Sequence, residues 1–73
     1  MTGTQPSPPA RMWRYRFTQP DGSEVETSEF SDDASADARA RELSKSQAEV
    51  IVVHRHSAHV DDWEYVTEVD ERP

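Results

Sequence analysis

Between Trp13 and Thr18 the chain alternates strictly, with Trp13, Tyr15 and Phe17 on one side and Arg14, Arg16 and Thr18 on the other. A period of two is that of a β-strand with one buried face. Gln19-Pro20-Asp21-Gly22 follows with turn chemistry: proline presets the first central position, aspartate suits the second, and glycine can take positive φ at the third. A three-residue loop pairs Phe17 with Val25, Arg16 with Glu26 and Tyr15 with Thr27. Arg14 and Arg16 are then expected among Glu24 and Glu26 on the outer face, since a slip of one residue would turn every side chain over. The second strand, Glu24 to Phe30, is mostly polar and suits a sheet edge.

The period then lengthens. Ser31, Asp32 and Asp33 offer capping oxygens and negative charge at a helix start, and Ala36, Ala40, Leu43 and Gln47 recur at helical spacing. Asp37 and Arg41 stand at i and i+4 on the solvent side. A face made almost wholly of alanine lets the helix approach a sheet closely, leaving volume for Trp13, Tyr15, Trp63 and Tyr65 to fill. Val50-Ile51-Val52-Val53 is apolar on both faces, as in a central strand. After the polar turn region His54 to His59 the last strand alternates again. Trp63, Tyr65, Thr67 and Val69 are expected on one face, and Glu64, Val66 and Glu68 on the other.

These elements predict an α+β fold, a ββαββ two-layer sandwich with one helix on a four-stranded, mainly antiparallel sheet. The order 2-1-3-4 is favoured over 1-2-3-4 because it centres the two most apolar strands and places the Glu-rich ones at the edges. Residues 1–10 read as a disordered, proline-rich tail, residues 11–70 as a single domain, and residues 71–73 as a frayed end.

Composition narrows the functional classes. Fifteen acidic against eight basic residues give a net charge of −7 over 73 residues, which repels polyanions unless the basic groups are segregated. There is no cysteine, so disulfides and Cys-based zinc sites are excluded and a reducing cytoplasm is the expected location. The start M-T-G-T-Q-P-S-P-P-A reads as no export signal, and no apolar stretch approaches the ~18 residues of a membrane span. A chain this short buries only about 60% of its unfolded surface, which makes association a natural source of stability.

The segment S-E-F-S-D-D-A-S-A-D-A-R-A-R-E-L-S-K, followed by A-E-V-I-V-V-H-R, resembles a family of short bacterial domains of unknown function. In these a hairpin precedes an alanine-rich helix ending in an A-R-E-L type sequence, and the next strand ends in V-V-H. The resemblance covers residues 13–56 and implies this fold and a bacterial origin, with no activity to carry over. The chain departs from the family where members carry glycine: Gln47-Ala48 stands before the third strand and Ser57-Ala58-His59 in the final turn.

Three surfaces carry candidate chemistry. On the outer sheet face Val50, Val52 and Val66 are expected to form an apolar stripe rimmed by Arg14, Arg16, Glu64 and Glu68, the make-up of a protein interface. An exposed valine patch on an antiparallel sheet is the plainer reading. His54, His56 and His59, with Asp61 and Asp62 beyond, have metal-ligand spacing, against the alternative of a solvated turn whose histidines pair with those aspartates. Arg11, Arg14 and Arg16 with Trp13, and Arg39, Arg41 and Lys45 on the helix, could contact nucleic acid, but aromatics facing the helix and arginines beside glutamates argue against it. Histidine, aspartate, Ser57 and other hydroxyls are present, but there is no cysteine, no nucleophile elbow and no Gly-rich phosphate cradle. The expected function is a non-enzymatic, cofactor-free protein-interaction module, associating with another protein or with itself as a homodimer.

Overall fold

The computed structural model describes residues 12–57 and 61–73. The chain runs β1 (Trp13–Thr18), β2 (Glu24–Phe30), α1 (Asp33–Gln47), β3 (Ile51–Ser57) and β4 (Asp62–Val69). These four strands form one sheet in the order β2-β1-β3-β4, every neighbouring pair antiparallel, with α1 on one face. This is the α+β sandwich that the alternation predicts. The expected tail lies outside the described residues.

The first turn forms as its chemistry requires. Gly22 donates to the Gln19 carbonyl at 2.9 Å, the Gln19 amide donates to the Ser23 carbonyl at 2.9 Å, and Gly22 takes φ of 93°. Beyond it the register departs from expectation. Thr18 pairs with Glu24 but Phe17 pairs with Glu26, so Val25 is an extra residue and β2 carries a bulge. The physical reason lies in spacing: Val25 and Phe30 are five apart, and an unbroken strand would place them on opposite faces. With the bulge both pack against the core. Glu26 is thereby moved from the outer face to the helix side, where Arg39 reaches it at 2.6 Å.

A second bulge has a larger effect. Val53 pairs with Thr67 but His54 pairs with Tyr65, leaving Val66 as the extra residue in β4. Val66 and Val69 are three apart, and again both pack on the core. The first half of β4 is therefore inverted relative to simple alternation. Glu64 comes to the helix side beside Arg55, at 3.4 Å, and Trp63 and Tyr65 turn to the outer face. Of the four aromatics expected beneath the alanine face, Tyr15 is buried there and Trp13 packs against it, while Phe17, Leu43, Ile51 and Val53 fill the place of Trp63 and Tyr65.

On the helix, Asp32 is the N-cap, its side chain accepting from the Ser35 amide at 2.8 Å, and Arg41 meets Asp37 at 2.8 Å. Ala36, Ala40 and Leu43 are buried as expected, but Ser44 takes the fourth buried position and Gln47 is exposed. The Ser44 hydroxyl donates to the Glu49 carbonyl at 2.6 Å and accepts from the Glu71 amide at 2.7 Å. Where fraying is expected at residues 71–73, Glu71 thus holds a contact, joined by Arg41 at 3.5 Å. The helix ends at Ala48 in the left-handed conformation, φ 56° and ψ 42°.

The start of the helix is tied to the sheet by a polar cluster. Tyr15 is fully buried and its hydroxyl donates to Asp33 at 2.5 Å; Arg55 donates to the same carboxylate at 3.1 Å and lies 5.0 Å from the Trp13 ring centre. Burial first, and then the neighbouring Asp33 carboxylate, push the Tyr15 hydroxyl up to about 12.

Candidate functional site on the outer sheet face

Alternation from the buried Ile51 and Val53 places Val52, His54 and His56 of β3 on the face away from the helix. Their cross-strand partners share that face. One row across the sheet reads Thr27, Arg16, His54 and Tyr65, another Thr18, Val52 and Glu68, and His56 pairs with Trp63. Arg14, opposite Glu29, completes the surface on the side of β1.

These side chains make one connected layer. The Arg16 guanidinium lies 4.5 Å from the centre of the Trp63 ring, within cation-π range. His56 meets Trp63 edge to face at 5.3 Å between ring centres, and His54 meets Tyr65 in the same way at 6.1 Å. Tyr65 is 64% exposed although its ring is large, whereas Arg16, Val52, His54, His56 and Trp63 are half-buried. Arg16 Nε and His54 Nδ1 are shielded from solvent without a hydrogen-bond partner among the described residues. Formal charge is mixed: Arg14 and Arg16 stand against Glu29 and Glu68, and Asp61 lies 3.0 Å from His56 Nε2.

The predicted residues sort differently onto this geometry. Arg14, Arg16 and Val52 lie on the outer face, as expected. Val50 precedes β3 and is half-buried, and Val66 packs on the core through its bulge, so the three-valine stripe does not form. Of its expected rim, Glu68 is present and Glu64 is on the helix side. Trp63 and Tyr65 take the place of the missing valines. Alternation alone puts them inside; the signal that could have found them is the odd spacing of Val66 and Val69.

His54 and His56 do share a face, as two ligands must, but each is engaged by an aromatic ring, and His56 also by Asp61. His59 lies outside the described residues. Among the described residues no three potential ligands come together as a metal site. Ser57 is buried on the helix side, away from the His56 imidazole on the adjacent residue. Trp13 faces the helix side and so does not interleave with Arg14 and Arg16. Arg39 and Arg41 are already paired with Glu26, Asp37 and Glu71; Arg11 lies outside the described residues. Among the described residues no helix is long and apolar enough to cross a membrane.

What such a surface can do is bind. Its indole, phenol and imidazole rings offer apolar area with polar edges and little rotamer freedom to lose, the properties of residues that dominate interfaces. No family model, no curated protein and no solved structure matches the chain, so the resemblance carried by A-R-E-L and V-V-H assigns no role to any of these residues.

Proposed function

We propose that this chain is a small, non-enzymatic protein-interaction module that docks a partner on the outer face of its sheet. The observation that carries the reading is the connected layer of Arg16, His54, His56, Trp63 and Tyr65, with Tyr65 64% exposed on the face opposite α1. An aromatic centre with charges at its margin is the arrangement in which a few rings carry most of the binding energy. Val52 supplies apolar area at the centre of β3, and Arg14 and Arg16 orient the partner.

The test is affinity capture from the lysate of the source cell with wild type, Tyr65→Ser and Val52→Asp, each checked for an unchanged fold by circular dichroism. A protein retained by wild type and lost by both variants supports the reading. Retention that neither variant alters, or no retained protein, overturns it. A second reading, single-stranded nucleic acid stacked on the same rings, has the Arg16–Trp63 contact in its favour and the net charge of −7 against it. It predicts an affinity for mixed oligonucleotides that falls steeply with salt.

A further inference from the structure

We infer that Arg16 anchors a carboxylate-binding subsite, and that the occupant of the outer face is an extended peptide segment of a partner protein carrying one acidic side chain with an apolar residue two positions away. The inference rests on reading this face as a docking surface and names the chemistry of what docks there. Three observations carry it.

The first is a pair of cations without counter-charges. Of the six described arginines, four are matched to carboxylates: Arg39 to Glu26, Arg41 to Asp37, Arg55 to Asp33 and Arg72 to Asp70. Arg14 and Arg16 are matched to none among the described residues, although the chain carries fifteen acidic side chains. Both stand on the outer side of β1, and Glu29, the cross-strand partner of Arg14, makes no ion pair with it.

The second is the state of the Arg16 guanidinium. Its cation-π contact with Trp63 fixes its position but occupies none of its five N–H donors. None of the five has a hydrogen-bond partner among the described residues, and Nε is shielded from solvent as well. A guanidinium partly stripped of water and left unpaired is unfavourable, and a carboxylate accepting from its two terminal nitrogens offsets that loss. Trp63 is the backing of this subsite and not its open surface. Because the ring already holds the side chain, little rotamer freedom is lost when a carboxylate binds.

The third is what lies beside it. Tyr65 follows Trp63 by two residues on β4, about 6.7 Å along the strand, and is 64% exposed. In an extended segment residues i and i+2 point to the same side at that same spacing. A glutamate on Arg16 therefore brings the residue two places away over the Tyr65 ring. A net charge of −7 opposes a run of acids or a nucleic acid, whereas a single carboxylate in direct contact with Arg16, with the exposed Arg14 close by, meets little of that repulsion.

The probe is the blocked peptide acetyl-Leu-Ser-Glu-Ser-Leu-amide, titrated into the isotope-labelled full-length protein and followed by NMR. The expected result is a saturable shift of the Arg16 guanidinium and Tyr65 amide signals, with the Arg41 and Lys45 signals on the helix unmoved. Glutamine in place of the peptide's glutamate should weaken binding roughly tenfold or more, and serine in place of both leucines should weaken it as well. Arg16→Lys, which keeps the charge but not the fork, should weaken the glutamate peptide roughly tenfold too, at an unchanged circular dichroism spectrum. Equal binding of the glutamate and glutamine peptides overturns the proposal, as do shifts spread over every cation of the surface. Binding seen only when the C-terminus is left as a free carboxylate also overturns it, by making a chain end the occupant. The same shifts produced by raising the concentration of the protein alone overturn it by making a second copy the occupant. Should no peptide bind while Tyr65→Ser still abolishes partner capture, the carboxylate subsite is refuted and the docking face stands. If capture is also unaffected, both fall.

Discussion

Replacing Tyr15 with phenylalanine isolates the bond that ties the helix to the sheet. The Tyr15 hydroxyl donates to Asp33 at 2.5 Å from a fully buried position, and Arg55 holds the other side of that carboxylate. A hydrogen bond to a charged acceptor contributes about 1.5–3 kcal/mol; with Arg55 still in place, the loss at pH 7 should be about 1–2 kcal/mol. The same hydroxyl has its pKa raised from 10.0 to about 12. A raised value means that the folded state holds the proton more tightly, so this contribution is whole below pH 10 and is lost as pH rises through 12. With each unit of pKa difference worth on the order of 1 kcal/mol, the wild type should lose roughly 1 kcal/mol from this group by pH 11 and roughly 2–3 kcal/mol above pH 12. Tyr15→Phe loses none of it. Urea unfolding of both proteins, followed by circular dichroism from pH 7 to 12, should therefore show the wild type more stable at neutral pH, the gap closing above pH 10 and its sign reversing by about pH 12. A gap that stays constant to pH 12, or no gap at pH 7, would refute the reasoning.

Other consequences follow from particular contacts. Ala48 caps the helix in the left-handed region at φ 56°, where a Cβ is strained; Ala48→Gly should raise stability by about 0.5–1 kcal/mol, read as a higher urea midpoint at unchanged slope. Ser44→Ala removes both the donor to Glu49 and the acceptor of Glu71, and should cost about 1–3 kcal/mol while speeding hydrogen exchange at the Glu71 amide. The hydrogen bonds from Arg39 hold the Glu26 carboxyl below the usual carboxylate range, so this pair stabilises at neutral pH and ceases to as pH falls through the lowered value. Because Arg39 is 37% exposed, a double-mutant cycle with Glu26→Gln and Arg39→Gln should give a coupling below about 1 kcal/mol at pH 7, vanishing in acid. Ala40→Leu adds volume where the helix meets the sheet and should destabilise by about 1–3 kcal/mol, measured as a lower melting temperature.

Local pattern was enough to determine the elements and their order. The alternation from Trp13 to Thr18, the Pro20-Asp21-Gly22 loop and the Asp32 cap each depend on neighbours a few positions away, and each appears where those neighbours place it; the apolar run at 50–53 marks β3, but that strand begins at Ile51 and runs on through Ser57, past the turn expected from His54. The strand order also followed, because the two most apolar strands must lie inside and the glutamate-rich ones at the edges. Tertiary structure decided which side of the sheet each residue faces. Val25 with Phe30, and Val66 with Val69, stand at odd spacings, and one sheet face can receive both members of a pair only if the strand takes in an extra residue. Whether it does depends on the room beneath α1, which the helix, β1 and β3 set jointly. The bulge at Val66 then reverses the first half of β4, so Trp63 and Tyr65, interior by local alternation, stand beside Arg16, His54 and His56 on the outer face. The elements of this protein are thus local in origin, while its candidate binding surface is created by core packing on the opposite side of the sheet.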